Sequence, residues 1–272
     1  MLHPSVPIDL LLLLSGLLAG AFGALLGLGG GVLIVPILTL GFGFSLTAAI
    51  GTSLLCVIAT STGAAAINVR AGRADVRLGI TLGAGTAVGA LTGAVIAGFL
   101  PDRVLAGLFA VLLAYTAVTM VRNLRRPAPA ESVIEDPGAP DGPGAPDYRT
   151  SRFGLAVAGA FGGGNLSGLL GVGGGIVTVP IIHVLMGGPM RVAVATSNFM
   201  IGITAAAGSY AYLFRGDIDA RVAAPVVLGV AVGGVIGAKL GGRVGTGWLV
   251  ALFVVVMAYV AVQMALRALG AT

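Results

Sequence analysis

Long apolar runs separated by brief polar punctuation make up almost the whole chain. In the first half they cover roughly 8–26, 31–43, 46–68, 78–99 and 104–121. In the second half they cover roughly 153–170, 175–187, 190–213, 222–242 and 247–266. About 20 apolar residues are needed for a helix to cross a bilayer. The runs are continuous in Leu, Val, Ala, Gly and Ile, without the in-out alternation of a membrane barrel strand, so they predict helices. The second run of each half is short. At about 1.5 Å per residue it reaches only about 20 Å, so it either crosses with help from irregular backbone or re-enters. Residues 8–26 lack a basic leader region and a convincing cleavage site, and read as a mature helix.

The pattern is duplicated. Residues 20–120 lie over 164–264 at a constant offset of 144 without a gap, and about one position in three is identical. Gly27-Leu-Gly-Gly-Gly31 with Pro36 falls on Gly171-Val-Gly-Gly-Gly175 with Pro180. Thr52-Ser53 falls on Thr196-Ser197, Asp75 on Asp219, and Tyr115 on Tyr259. Between the halves, residues 123–152 hold six of the 13 prolines and five of the ten acidic residues. Such a segment buries too little apolar surface to order itself and reads as a flexible linker. The expected fold is therefore an all-α integral membrane protein. It has two homologous repeats, 1–122 and 153–272, each of about five hydrophobic segments, giving 8–10 transmembrane helices. Two related hydrophobic halves are a common plan for secondary transporters, with the substrate between them near the midplane.

Composition strengthens this picture. Charged residues are 9% of the chain and mean hydropathy is +1.05, against about 25% charged residues in soluble domains. The net charge of +5 comes from arginines placed singly at the ends of apolar runs, as topology anchors and not as a nucleic-acid surface. Arg122, Arg125, Arg126, Arg149 and Arg152 flank the linker and put it in the cytoplasm. Counting Lys and Arg over all loops does not separate parallel from inverted repeats. Equivalent loops differ in charge, however: 70–77 carry three Arg and one Asp, and 214–221 two Arg and two Asp. Loops on one side should share a bias, so inversion is expected. Cys56 lies alone in an apolar run and reads as a small core residue.

The candidate chemistry lies in the duplicated motifs. Three consecutive glycines in a span break a helix, and irregular backbone within a membrane is tolerated where it is buried in protein or lines a cavity. The following segment opens with unpaired N–H groups and a partial positive charge, suited to an anion. Gly29, Gly30, Gly31, Gly173, Gly174 and Gly175 are therefore candidate substrate-binding residues, and Gly27, Pro36, Gly171 and Pro180 set the helix break. A tight interhelical turn is the alternative. Thr52, Ser53, Thr196, Ser197 and Asn198 can donate to an oxyanion without carrying charge, or can bond back to their own helix. Asn68, Asn165 and His183 have no match in the other half. Glycines at 85, 89 and 93, and at 229, 233, 237 and 241, sit four apart, a spacing for close helix packing. No acid lies deep in a span, and no metal cluster, nucleophile triad or nucleotide motif is evident, so no enzyme activity, cofactor, metal site or nucleic-acid partner is expected.

The paired Gly-x-Gly-Gly-Gly-x-x-x-x-Pro motifs at 27–36 and 171–180, the Thr-Ser pairs, and the Gly72…Asp75 and Gly216…Asp219 loops resemble the TauE/SafE (TSUP) family of sulfite exporters. The resemblance implies a multi-pass secondary carrier of small sulfur-containing anions, such as sulfite or sulfonates, in a bacterial plasma membrane. An anion channel and an uptake carrier for another organic anion are the alternatives. The partners implied are a small anionic substrate and the bilayer; the oligomeric state stays open, a homo-oligomer included.

Overall fold

The computed structural model describes residues 8–25, 31–125, 153–240 and 246–270, and these are helical with no strand among them. The helices are α1 (Ile8–Leu25), α2 (Gly31–Pro36), α3 (Leu46–Arg70), α4 (Val76–Ala97), α5 (Asp102–Arg125), α6 (Phe153–Leu170), α7 (Gly175–Pro180), α8 (Met190–Phe214), α9 (Ala220–Leu240) and α10 (Thr246–Ala268). Seven of them, α3, α4, α5, α6, α8, α9 and α10, are long and apolar enough to cross a membrane. The helix that ends the first half continues to Arg125, three residues into the stretch assigned to the linker; residues 126–152 lie outside the described ones.

Local chemistry accounts for the ends. Ser45 caps α3, its Oγ accepting the N–H of Ala48 at 3.3 Å. Asp75 caps α4, its Oδ1 accepting the N–H of Leu78 at 3.0 Å. Each cap satisfies an amide that the helix itself leaves unpaired. The short helices α2 and α7 both end in proline and continue as one wide π-helical turn, Ile37–Gly41 and Ile181–Leu185. Proline removes one donor from the regular helical ladder, and a wider turn directly after it accommodates the gap. The two turns close alike: Phe44 N–H donates to Leu38 O at 3.0 Å and Gly188 N–H to Ile182 O at 2.9 Å.

The chain divides into two compact units that cut across the repeat. One contains α1–α4 and α6–α9, and the other contains α5 and α10. In the second unit, Gly107 lies against Ala268 and Arg103 against Gly270, so α5 and α10 run antiparallel.

In the larger unit, glycines set the closest approaches. On α4, side chains at Gly89 and Gly93 would run into the carbonyls of Phe161 and Asn165 on α6. On α6, side chains at Gly164 and Gly168 would run into the carbonyls of Thr86 and Ala90. The matched numbering makes the two helices parallel. A second seam repeats this one. Gly229, Gly233 and Gly237 of α9 lie on the carbonyls of Leu13, Leu17 and Ala21 of α1, and Gly16 and Gly20 lie on those of Val226 and Val230. Backbone-to-backbone contact of this kind is how helices gain packing energy in lipid, where apolar burial alone gives no preference for protein over solvent.

Between these seams, α3 and α8 cross antiparallel: Gly51 meets Tyr212, Leu54 meets Gly208, and Ser61 meets Gly202. Parallel to α8, α4 contributes Thr86, whose Oγ1 accepts from Thr204 Oγ1 at 2.6 Å. An apolar cluster of Leu78, Leu82, Ala156, Ala160, Ile181, Ile182, Met186, Ala193 and Met200 ties α4, α6, the second π-turn and α8 together. At the far end of α8, Arg215 donates to Ala94 O at 2.6 Å, pairs with Asp217 at 2.8 Å and lies 4.6 Å from the Tyr212 ring. It thereby satisfies a carbonyl in the last turn of α4, where a cation also suits the helix dipole. Large apolar side chains such as Leu18, Val111 and Val235 face outward, while Thr52, Ser53, Thr86, Thr196, Ser197 and Thr204 are buried. Polar groups inside and apolar groups outside is the arrangement lipid requires.

Candidate functional site

The second glycine motif can be followed residue by residue. Helix α6 ends at Leu170. Its last turn is held from two sides: Gly171 N–H donates to Ser167 O at 2.7 Å, and Tyr212 Oη donates to Gly168 O at 2.8 Å. The chain then passes through Gly171, Gly173 and Gly174, with φ of 72°, 82° and 73°. Side chains rarely adopt this left-handed region, so the sequence needs glycine here. Helix α7 restarts at Gly175, and Gly174 O receives the N–H groups of Val177 and Thr178, both at 3.1 Å. No side chain caps this start.

Gly173 sits between Val57 of α3 and Ile201 of α8, which are equivalent residues at the offset of 144. The break therefore lies where the two antiparallel helices cross.

The Thr-Ser pairs are close by, and most of their hydroxyls are engaged. Ser53 Oγ is 2.8 Å from Gly31 O and 2.8 Å from Gly171 O. One hydroxyl has one proton, so it donates to these two carbonyls in turn or shares between them. This joins the start of α2 to the end of α6. Ser197 Oγ instead meets Thr178 Oγ1 at 2.6 Å, and Thr178 in turn donates to Gly174 O at 3.3 Å. Thr196 Oγ1 accepts the N–H of Asp75 at 2.9 Å and so supports the start of α4. Thr52 is buried in α3 and Asn198 half-buried in α8. Pro36 is buried and Pro180 exposed. Gly27, Gly29 and Gly30 lie outside the described residues.

The predicted residues Gly31, Ser53 and Gly171 thus form one group, and Gly173, Gly174, Gly175 and Ser197 another. Thr196 faces away, toward Asp75. Asn165, on the far side of α6, donates to Thr92 Oγ1 at 3.1 Å. His183 Nδ1 is 2.8 Å from Gly188 O, closing its own turn.

Three residues of this neighbourhood escape the motif search: Ser167, Thr178 and Tyr212. Their counterparts in the first half are Gly23, Ile34 and Asn68. The signal that finds two of them is a mismatch between halves, polar against apolar, where the search looked for matches.

Electrostatically, the site holds no formal charge of its own. Among the described residues, charged side chains occupy loops or the first and last turns of helices. The polar groups around the break are uncharged: main-chain amides and the hydroxyls of Ser53, Thr178 and Ser197.

Comparison with known proteins agrees with this architecture. The family model described as "Sulfite exporter TauE/SafE" matches residues 12–264. The chain is 30% identical over 231 residues to the "Probable membrane transporter protein YunE" of Bacillus subtilis, covering 80% of this chain and 83% of that one. It is 29% identical over 211 residues to the "Probable membrane transporter protein MJ0441" of Methanocaldococcus jannaschii, covering 75% of this chain and 72% of that one. No solved structure matches. A multi-pass chain of apolar helices, matched along nearly its full length, belongs to the TauE/SafE family of membrane transporters.

Proposed function

We propose that this protein is a secondary carrier that exports small sulfur-containing anions, such as sulfite or sulfonates, across a bacterial plasma membrane. The two repeats, 1–122 and 153–272, are inverted, and access alternates as one bundle of helices moves against the other. The anion is held by N–H groups of the glycine breaks, at Gly29–Gly31 and Gly173–Gly175, with Thr52, Ser53, Thr196, Ser197 and Asn198 around it. Within that group we read Thr196 and Ser53 as supports of the scaffold, since their hydroxyls bond to Asp75 N–H and to Gly31 O and Gly171 O.

The observation that carries this reading is the position of the Gly171–Gly174 break between Val57 and Ile201. Irregular backbone at membrane depth is tolerated where it is buried in protein or lines a cavity, and here it lies at the crossing of two equivalent helices. Inversion is supported by direction. Equivalent helices α3 and α8 run antiparallel, and so do α5 and α10 within their own unit. An odd number of crossings per repeat produces this. It requires the short second segment, α7 with its π-turn and the Gly171–Gly174 stretch before it, to count as a crossing. Gly171 lies beside Ile50 near the start of α3, and Gly175 beside Ile201 midway along α8, which is the progress such a crossing needs.

The test is anion flux into liposomes carrying the purified protein. Saturable uptake with counterflow of sulfite or a sulfonate supports the carrier. Gly174→Val should abolish flux while the protein still inserts. Wild-type flux by that variant would remove the break from the substrate path, and single-channel currents would replace the carrier with a channel.

A further inference from the structure

Hydroxyls in these helices have an ordinary fate. Ser15, Thr62, Thr81, Thr116 and Ser209 each donate to a carbonyl three or four residues earlier, the usual way a helix in lipid satisfies serine and threonine. Ser167, in the last turn of α6, does not. Its residue is 2% exposed, and its Oγ is the one buried side-chain oxygen or nitrogen without a partner among the described residues. A buried hydroxyl left unpaired is costly, and such exceptions in native proteins call for an occupant or a role.

The surroundings point to an occupant. Ser167 Oγ lies 3.7 Å from the place a side chain on Gly174 would begin. Gly174 has none, and its φ of 73° disfavours one. Ser167 Cβ lies 3.5 Å and Gly163 O 3.7 Å from the same point, so the hydroxyl borders the bare turn of the break. The first half has no such group, because Gly23 stands at the equivalent position. The same one-sidedness recurs at Thr178 against Ile34 and at Asn198 against Leu54. At these three positions the second half carries a polar side chain where the first carries none.

We propose that Ser167 is a substrate-contacting specificity residue, donating its hydroxyl proton to one oxygen of a small oxyanion seated over Gly174. The chain then holds its anion beside the second repeat and not on the axis relating the two. This inference rests on the anion-carrier reading and adds to it a residue and a side. An uncharged donor of this kind favours anions with exposed oxygens, such as sulfite or a sulfonate, over chloride.

The experiment uses the full-length protein purified in detergent, with sulfite, methanesulfonate and chloride as probes. Binding to the folded state raises its thermal stability and yields a Kd. For Ser167→Ala we expect Kd for the oxyanions to rise about tenfold, the worth of one good hydrogen bond. Chloride should be unaffected, and the unliganded Tm should be equal to or above wild type, since an unpaired hydroxyl has been removed. Ser167→Cys, similar in size and a weaker donor, should fall between. An unchanged Kd for the oxyanions in Ser167→Ala overturns the proposal; a lowered unliganded Tm with unchanged Kd does so by giving Ser167 a structural role. Wild-type protein that no oxyanion stabilises overturns the anion-carrier reading and this inference together. Wild-type binding that Gly174→Val removes and Ser167→Ala does not would leave the first standing and the second refuted.

Discussion

At the α4–α6 seam, Gly89 and Gly93 press on Phe161 and Asn165; at the α1–α9 seam, Gly233 and Gly237 press on Leu17 and Ala21. Each of these residues has its counterpart at the offset of 144, so the two seams are one interface made twice. The serines beside the glycine motifs are different. Ser53 bridges two carbonyls beside Gly31, whereas its counterpart Ser197 bonds to Thr178, a residue whose own counterpart is Ile34. Packing has kept the duplication and the polar interior has departed from it. That division is physical. A seam of backbone against backbone leaves no room even for a Cβ at these glycines, so both copies are held to one solution. A polar contact has many solutions, and a single asymmetric ligand does not need the same one twice.

Substitutions can break or sharpen this comparison. The largest effect is expected at the seams. Gly89→Leu and Gly233→Leu should each cost about 3 kcal/mol or more, because the side chain meets backbone that cannot step aside. Both variants should lose the monodisperse peak in size-exclusion chromatography, and a large difference between them would end the equivalence of the seams. Gly63→Ala, with nothing within reach, is the control and should behave as wild type.

The breaks should respond unequally. Ser53→Ala leaves two buried carbonyls without their shared donor, at about 2 kcal/mol, and should lower the Tm by several degrees. Ser197→Ala leaves Thr178 still bonded to Gly174 and should cost about half as much. Equal losses would argue that the two breaks are built alike after all.

Smaller effects lie at the helix ends. Asp75→Ala removes the cap of α4, worth about 1 kcal/mol, and Asp75→Asn should restore most of it. Arg215→Ala should cost about 1 kcal/mol or less, because its ion pair is partly exposed and screened. Its counterpart is Ala71, so the loss has no parallel in the first half. Thermal unfolding of the purified variants measures all of these.

Much of the fold was legible in the sequence for reasons these comparisons make plain. Apolar run length reports the bilayer, so the helix boundaries read from the runs fall within a few residues of those in the structure. Glycines four apart announce a close seam, but they do not say which helix fills it. That α4 takes α6 and α9 takes α1 depends on distant residues that leave no local mark. The candidate site was legible where it was duplicated and obscure where it was not. Gly171–Gly175 stood out by matching Gly27–Gly31. Ser167 and Thr178 were passed over because they match nothing, and Pro36 and Pro180 announce a gap in the helical ladder without saying that a π-turn fills it. The Thr-Ser pairs were found, yet their partners were not: a hydroxyl advertises a hydrogen bond without naming its recipient.

The α1–α9 seam has a consequence for how the protein is made. Gly16 waits for Val226, about 210 residues later in the chain. At typical synthesis rates that interval is roughly 10–40 s, during which α1 shows its bare glycine face to lipid or to whatever the insertion machinery offers. The first half therefore cannot mature on the ribosome ahead of the second, and a chain that stalls between them is a half-built membrane protein with an open groove, a natural target for quality-control proteases.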